Sequence, residues 1–440
     1  MINKVKSNII DSSLAAVIIF YGALVFCLPV PHSYEVVSLY PWWSKKIGFG
    51  NIQLQELLFI VWFFLVGFKF EYRTLLKGGI PTRQAGVWLI SLALWCGLIS
   101  LTAPLPWIDT GRTFRLLLNV ALMFAVVRWT KKSGNMPLTM LVLGFFTGTI
   151  INLIISFRFP LIVNETMRLS GQSTPGVAMG IAIHLSAWLF FTSKQTSIKI
   201  FSFCSALVFS MACSISYSRV GWFAGGLGLI AWGYVLLIAK PKDRTQKKYL
   251  KILRILLVPA FFASLAIAQK SQLIQESLHW VTSLIEQKVS GPGESDSIRW
   301  AYVEGTMEII LRSPQGVGYS GFYDAMIETD IYSSGKAAEE ESANSANPHA
   351  TILWYITAGG IPGGIISIMV FLLLLNSLRI GLRISLGSPG RVLFFLILFP
   401  FIVISLTVPY LFNSTILIVP TAIAAGWGWR NKISYNNQTA

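Results

Sequence analysis

The sequence has few charged residues, and few of those are acidic. Of its 440 residues only 12% are charged and 54% are hydrophobic, and 19 Asp and Glu stand against 35 Lys and Arg. Soluble domains carry about 25% charged residues, so this composition argues against a soluble globular fold. The net charge of +16 does not indicate nucleic-acid binding here, because basic loops on the cytoplasmic side of a membrane protein produce the same excess.

Cysteine and histidine are also scarce, with four residues of each. All four cysteines lie inside apolar runs, so we predict no disulfide framework; they are Cys27, Cys96, Cys204 and Cys213. The acids between residues 269 and 349 have the pattern of a solvated face rather than a pair of metal ligands. We therefore expect neither a metal ion nor another cofactor.

Long apolar runs dominate what remains, and each is long enough to cross a hydrocarbon core of roughly 30 Å. The sequence predicts an all-α polytopic membrane protein with about twelve transmembrane helices. The predicted spans are 13–31, 52–69, 85–103, 112–128, 136–156, 174–192, 198–216, 220–239, 250–268, 350–376, 391–407 and 410–428.

These spans divide the chain into three regions: helices one to nine at 1–268, a loop domain at 269–349, and helices ten to twelve with a tail at 350–440. Lys and Arg concentrate at the N-terminus, in alternate loops and in the tail. Because basic loops stay cytoplasmic, both termini are expected in the cytoplasm and the large loop outside it.

The large loop is predicted to be mostly helical. Residues 271–289 repeat apolar side chains at helical spacing, which favours an amphipathic surface helix. A second helix is expected to open at Asp296 and to stop before Pro314. The stretch at 332–349, rich in Ser, Ala and Glu, is typical of a mobile flap.

Arginines recur on the expected outer side, where insertion alone would favour few. Each taken singly is equally well explained as a headgroup contact or a snorkelling side chain. Together they indicate a site for a multiply charged anion, because guanidinium groups grip phosphate oxygens in a fork. They are Arg112, Arg115, Arg158, Arg168, Arg219, Arg299 and Arg312.

Three short stretches carry the strongest signals: "YSRVG" with Arg219, "SPQGVGYSGF" after Arg299, and "NPHATILWYITAGGIPGG" with His349 at the border of span ten. A lone histidine at such a border is also explained as a helix cap or an interfacial residue. The "GGIPGG" cluster predicts a break or kink in span ten that admits the base of the loop, with plain helix packing as the alternative.

These stretches resemble the O-antigen ligase family, and the span count and loop position match over nearly the whole chain. The resemblance implies a GT-C-like, inverting, metal-independent glycosyltransferase of the bacterial inner membrane. Its donor would be O-antigen on undecaprenyl pyrophosphate, and its acceptor a sugar hydroxyl of lipid A core, with the active site on the periplasmic side.

The resemblance also implies the site residues. The family's histidine falls on His349, where it would act as the catalytic base, and the family's two arginines fall on Arg299 and Arg219, where they would bind pyrophosphate. Arg168 is a weaker carry-over, and Arg112 and Arg115 are further candidates for the pyrophosphate. Ala350 follows the histidine where many relatives have asparagine.

Three alternatives remain open at this point. An O-antigen polymerase would use lipid-linked glycan as donor and acceptor, and a protein O-oligosaccharyltransferase of the same superfamily would use a protein hydroxyl. A small-molecule transporter would also fit twelve spans, but it would usually show repeated halves and polar residues at mid-span. The sequence shows no internal repeat and few charges inside the spans.

Overall fold

The computed structural model describes residues 80–158, 161–163, 166–168, 173–216, 219–237, 294–334, 348, 350–407, 412 and 415–436. The predicted spans 13–31, 52–69 and 250–268 lie outside these residues, as do the amphipathic segment 271–289 and His349.

Among the described residues, the regular elements are helices apart from one short hairpin. The elements are α1 (Ile80–Ser100), α2 (Pro106–Ser133), α3 (Met136–Arg158), β1 (Leu161–Val163), β2 (Thr166–Arg168), α4 (Ser173–Thr192), α5 (Thr196–Ile215), α6 (Arg219–Leu237), α7 (Glu294–Arg312), α8 (Phe322–Ile327), α9 (Asp330–Ser333), α10 (Thr351–Leu386), α11 (Ser388–Thr407) and α12 (Thr415–Asn436).

Nine of these helices coincide with nine of the predicted spans. Within the described residues six helices are long and apolar enough to cross a membrane, and the apolar parts of α4 and α12, Gly176–Thr192 and Ile416–Gly428, are shorter. The chain is therefore a membrane protein built mainly from helices. The count of twelve spans stays a prediction.

The hairpin of β1 and β2 is a feature that the sequence analysis did not anticipate. Its strands are antiparallel and place Leu161 opposite Arg168 and Val163 opposite Thr166. β-Branched side chains favour strand geometry, and a two-residue connection suits a tight hairpin. Three residues per strand are too few to produce a recognisable alternation in the sequence.

Helices α4 and α6 pack closely against each other. A Cβ on Gly221 would lie 2.6 Å from the carbonyl carbon of Gly176, and one on Gly180 would lie 2.6 Å from the Ala224 Cβ. Small residues at such crossings let helix backbones approach closely in a membrane. The pair runs parallel, because Gly228 further along α6 meets Ile183 further along α4.

Helix α10 is broken near its start. Gly360 has φ 64° and ψ −161°, and Pro362 follows two residues later. This confirms the predicted break in span ten. Beyond the break α10 packs parallel to α12, where Gly381 lies against the backbone of Ala424.

The helices alternate in direction along the chain, which gathers one set of ends together. We call this the motif end: it holds the starts of α2, α4, α6, α10 and α12 and the ends of α1, α3, α5 and α11. The parallel contacts support this arrangement, since Asn119 donates to the Phe412 carbonyl at 3.4 Å and Thr130 meets Gly426 at the other end of α2 and α12.

The loop helices α7, α8 and α9 form a small core of their own. Ala301, Tyr302 and Ile309 of α7 are buried against Phe322 and Met326. Helix α7 begins two residues before the expected Asp296 and ends at Arg312, two residues before Pro314, so the helix predicted from the sequence is confirmed.

Candidate functional site

The segment Ser313 to Gly321, which we call the junction segment, joins α7 to the break in α10. The Val317 N–H donates to the Thr357 carbonyl at 2.9 Å, and the Gly318 N–H donates to the Ala358 carbonyl at 3.1 Å. In return, the Ile361 N–H donates to the Pro314 carbonyl at 3.0 Å. The backbone groups freed by the break in α10 are thus satisfied by the junction segment, as buried backbone groups require.

Glycines make this contact possible. Gly360 lies in a region of φ and ψ that is essentially restricted to glycine, and a Cβ there would lie 2.1 Å from the Pro314 carbonyl oxygen. Gly318, with φ 76°, faces Ala103 and the Asp109 carboxylate, whose Oδ2 would be 2.9 Å from an added Cβ. The stretch "SPQGVGYSGF" and the "GGIPGG" cluster, the two glycine-bearing motifs, therefore contact each other at the motif end.

The start of α2 holds the other side of the junction segment. The Ser320 N–H donates to Asp109 Oδ2 at 3.1 Å, and the Leu105 N–H donates to the Ser320 Oγ at 3.1 Å. Arg112 donates from Nη1 to the Tyr319 carbonyl at 3.0 Å. Asp109 is fully buried and interacts attractively with Arg112 one turn along the helix.

Aromatic side chains fill the space beneath these contacts. The Arg112 guanidinium lies 5.0 Å from the centre of the Trp354 ring, a distance suited to a cation–π interaction. Tyr319 stacks on Trp354 with ring centres 5.8 Å apart, and Tyr355 stacks on Phe412 at 5.3 Å. Burial raises the pKa of Tyr319 well above its usual value, so its hydroxyl stays protonated at physiological pH.

Side-chain hydrogen bonds join the end of α5 to the start of α6. The Cys213 thiol donates to the Gly221 carbonyl at 3.1 Å, and Trp222 Nε1 donates to the Cys213 carbonyl at 3.0 Å. Together with the close packing of α4 on α6, these contacts fix the first turn of α6 at the motif end. Arg219 is the first residue of that helix.

The sequence-predicted site residues have the following positions. Arg112 and Arg115 lie on α2, Arg168 ends β2, Arg219 begins α6, and Arg299 lies on α7. The backbones of Arg168, Arg219 and Arg299 are described but their side chains are not, and His349 lies outside the described residues. Their joint action at one site stays a prediction.

The residues on either side of His349 are described. Pro348 and Ala350 are both buried, and Ala350 is extended, with φ −144° and ψ 140°, directly before α10. Ala350 offers no side-chain cap to the helix, whereas an asparagine at this position could accept a hydrogen bond from the first turn. The chain therefore enters α10 through an extended residue.

Sequence reasoning missed Asp109 and Ser320, which hold the junction segment in place. A signal for Asp109 existed, because it is the only acidic residue between Glu71 and Glu165. A single acid at the start of an apolar span requires a partner, since a buried carboxylate without one is costly. Nothing comparable distinguished Ser320 from the other serines.

The described residues hold no group of three or more His, Cys, Asp and Glu side chains that could bind a metal ion. A metal-independent reaction stays a prediction.

Comparison with known protein families identifies a related region. Residues 203–368 match the model of the family described as O-Antigen ligase, which confirms the resemblance over this part of the chain. The matched region runs from α5 to the middle of α10 and contains Arg219, Arg299, the junction segment and His349. The comparison with curated proteins gives no match.

Proposed function

We propose that this chain, with its O-antigen ligase family region at residues 203–368, transfers O-antigen from undecaprenyl pyrophosphate to a sugar hydroxyl of lipid A core. The observation that carries the proposal is the meeting of the two glycine-bearing motifs at the motif end. One of them follows the helix that bears Arg299, and the other begins at Gly359, ten residues after His349.

The leaving pyrophosphate gains negative charge as the glycosidic bond breaks. Cations held in fixed positions stabilise that charge without reorganising during the reaction. Arg219 and Arg299 are assigned this role, with Arg168 and Arg115 as further contributors. At about 4 Å and an effective dielectric constant near 20, one charge pair contributes on the order of 4 kcal/mol before desolvation. Two or three arginines would thereby supply what a divalent ion supplies elsewhere.

The acceptor hydroxyl must lose its proton as it attacks the anomeric carbon. A neutral imidazole has a pKa near physiological pH and accelerates such steps by roughly a hundred- to ten-thousand-fold. His349 is assigned as this base. Attack by the acceptor oxygen on the face opposite the pyrophosphate forms the new C–O bond as the old one breaks, so the product is inverted at the anomeric carbon.

Both substrates are lipids with large polar headgroups, which agrees with a reaction at a membrane surface. The apolar helices suit a location in the inner membrane, and the basic loops favour an outward-facing motif end with cytoplasmic termini. A lipid-linked pyrophosphate would then be bound at the motif end, at the outer surface of the membrane.

The choice of acceptor tests this proposal. Purified protein in proteoliposomes is supplied with lipid-linked O-antigen in three mixtures. The first also contains lipid A core, the second contains a hydroxyl-bearing acceptor protein, and the third contains no added acceptor. We expect glycan attached to lipid A core. Lengthened lipid-linked chains would instead indicate an O-antigen polymerase, glycosylated acceptor protein would indicate a protein O-oligosaccharyltransferase, and absence of transfer in all three mixtures would contradict the proposal.

A further inference from the structure

Asp109 and Arg112 both hold main-chain atoms of the junction segment. Asp109 accepts the Ser320 N–H, and Arg112 donates to the Tyr319 carbonyl. A hydrogen bond donated by an ionised group such as the Arg112 guanidinium is roughly twice as strong as one between neutral groups. The pair therefore grips two consecutive residues of the segment from one turn of α2.

The Arg112 guanidinium is committed to this contact. One of its nitrogens donates to the Tyr319 carbonyl, and its planar face lies over the Trp354 ring. Tyr319 in turn stacks on the same Trp354. An arginine that binds a diphosphate presents its fork of donors to the ligand, whereas this one joins α2, the junction segment and the start of α10.

The junction segment connects α7 to α10, which begins two residues after His349 in the sequence. It follows α7, which carries Arg299, and it hydrogen-bonds to Thr357 and Ala358 of α10. Trp354, which Arg112 covers, lies five residues after His349 in the sequence. A displacement of the segment would therefore move the supports of both groups together.

We propose that Asp109 and Arg112 are positioning residues: they lock the junction segment onto α2, and thereby fix the relative placement of α7 and the start of α10, rather than bind the diphosphate. This inference rests on the proposed function for its effect on the reaction rate. The lock itself, however, is a property of the folded protein and is measurable without any substrate.

The test combines amide hydrogen exchange with steady-state kinetics on the full chain. The variants are Arg112→Lys, which keeps the charge and loses the planar fork, Asp109→Leu, which removes the acceptor, and Asp109→Asn, which keeps an acceptor oxygen. Arg83→Lys is the matched control, because Arg83 is exposed at the start of α1, at the opposite end of the bundle.

We expect the amides of Val317, Gly318 and Ser320 to exchange about tenfold faster in Arg112→Lys and Asp109→Leu than in the unaltered protein. Asp109→Asn should lie between Asp109→Leu and the unaltered protein, and Arg83→Lys should match the unaltered protein. In Arg112→Lys, kcat should fall by roughly ten- to a hundredfold, while the donor KM stays within about twofold.

The opposite pattern would overturn the proposal: unchanged exchange of these amides, with a donor KM raised about tenfold in Arg112→Lys, identifies Arg112 as a diphosphate ligand. Should Asp109→Leu fail to fold, Asp109→Asn and Arg112→Lys still decide between the two results. A protein without transferase activity would refute the proposed function, yet faster exchange in Arg112→Lys would still support the lock.

Discussion

The contact between α4 and α6 and the contact between the junction segment and α10 both depend on glycine, but in different ways. In the first, Gly176, Gly180 and Gly221 lie within regular helices and bring two backbones together. In the second, Gly318 and Gly360 adopt positive φ, and the contact consists of directed hydrogen bonds.

The first contact depends on the volume of the side chains, whereas the second depends on the direction of its hydrogen bonds. A helix crossing made by small residues depends on volume, so an added side chain forces the helices apart. The junction depends on which backbone groups point at one another, so a small displacement alters the placement of attached residues with little loss of packing. Substitutions in the first contact should therefore reduce the amount of folded protein, and substitutions in the second should mainly reduce activity.

The largest effect is expected at the helix crossing. Gly221→Leu places a side chain where a Cβ alone would lie 2.6 Å from the Gly176 backbone, and we expect little or no folded protein by size-exclusion chromatography in detergent. Gly226→Leu is the control on the same helix, because a Cβ there meets nothing within 4 Å. Equal yields of the two variants would contradict the account of this crossing.

Arg219 begins the tightly packed helix α6, yet it is assigned to the reaction rather than to the packing. We expect Arg219→Ala to lower kcat/KM by roughly a hundredfold, as loss of a preorganised cation does, with thermal stability unchanged. Arg219→Lys should recover only part of the rate, since lysine lacks the fork. A Tm that falls together with activity would indicate that Arg219 acts through folding.

Gly360→Ala tests the hydrogen-bonded contact between the junction segment and α10. A side chain at φ 64° and ψ −161° is strained by about 1–3 kcal/mol, and its Cβ would displace the Pro314 carbonyl. We expect folded protein at reduced Tm, with faster exchange of the Ile361 amide. If Ile361 exchanges as slowly as in the unaltered protein, the junction does not depend on this glycine.

Ser320→Ala is expected to have the smallest effect. It removes the acceptor of the Leu105 N–H but leaves the Ser320 N–H bonded to Asp109. Loss of one such hydrogen bond costs about 1 kcal/mol. Thermal unfolding should show a small decrease in Tm, and the Leu105 amide should exchange faster while that of Val317 is unaffected; a large loss of stability would mean that Ser320 has a role beyond this bond.

The sequence predicted most of the described scaffold, because apolar runs of span length report directly on membrane helices. It also predicted the break in α10 and the end of α7, because glycine and proline end or break a helix close to their own positions. The β1–β2 hairpin is too short for a periodic signal. The lock formed by Asp109 and Arg112 joins positions more than 200 residues apart, and a single sequence contains no trace of such a pairing.

The arginines likewise have contacts that a single sequence does not reveal. Residue type and side of the membrane marked Arg112 and Arg219 alike as candidates for an anion site. The structure shows Arg112 engaged with Tyr319 and Trp354, a use of the guanidinium that charge and position in the sequence do not reveal. For Arg219, only the position at the start of α6 is described.

We assign the removal of the acceptor proton during glycan transfer to the His349 imidazole. The decisive experiment measures the rate of glycan attachment to lipid A core by His349→Ala in proteoliposomes at saturating lipid-linked donor. We expect the rate to fall by roughly a hundred- to ten-thousand-fold with donor binding retained. Transfer at the rate of the unaltered protein would contradict this assignment.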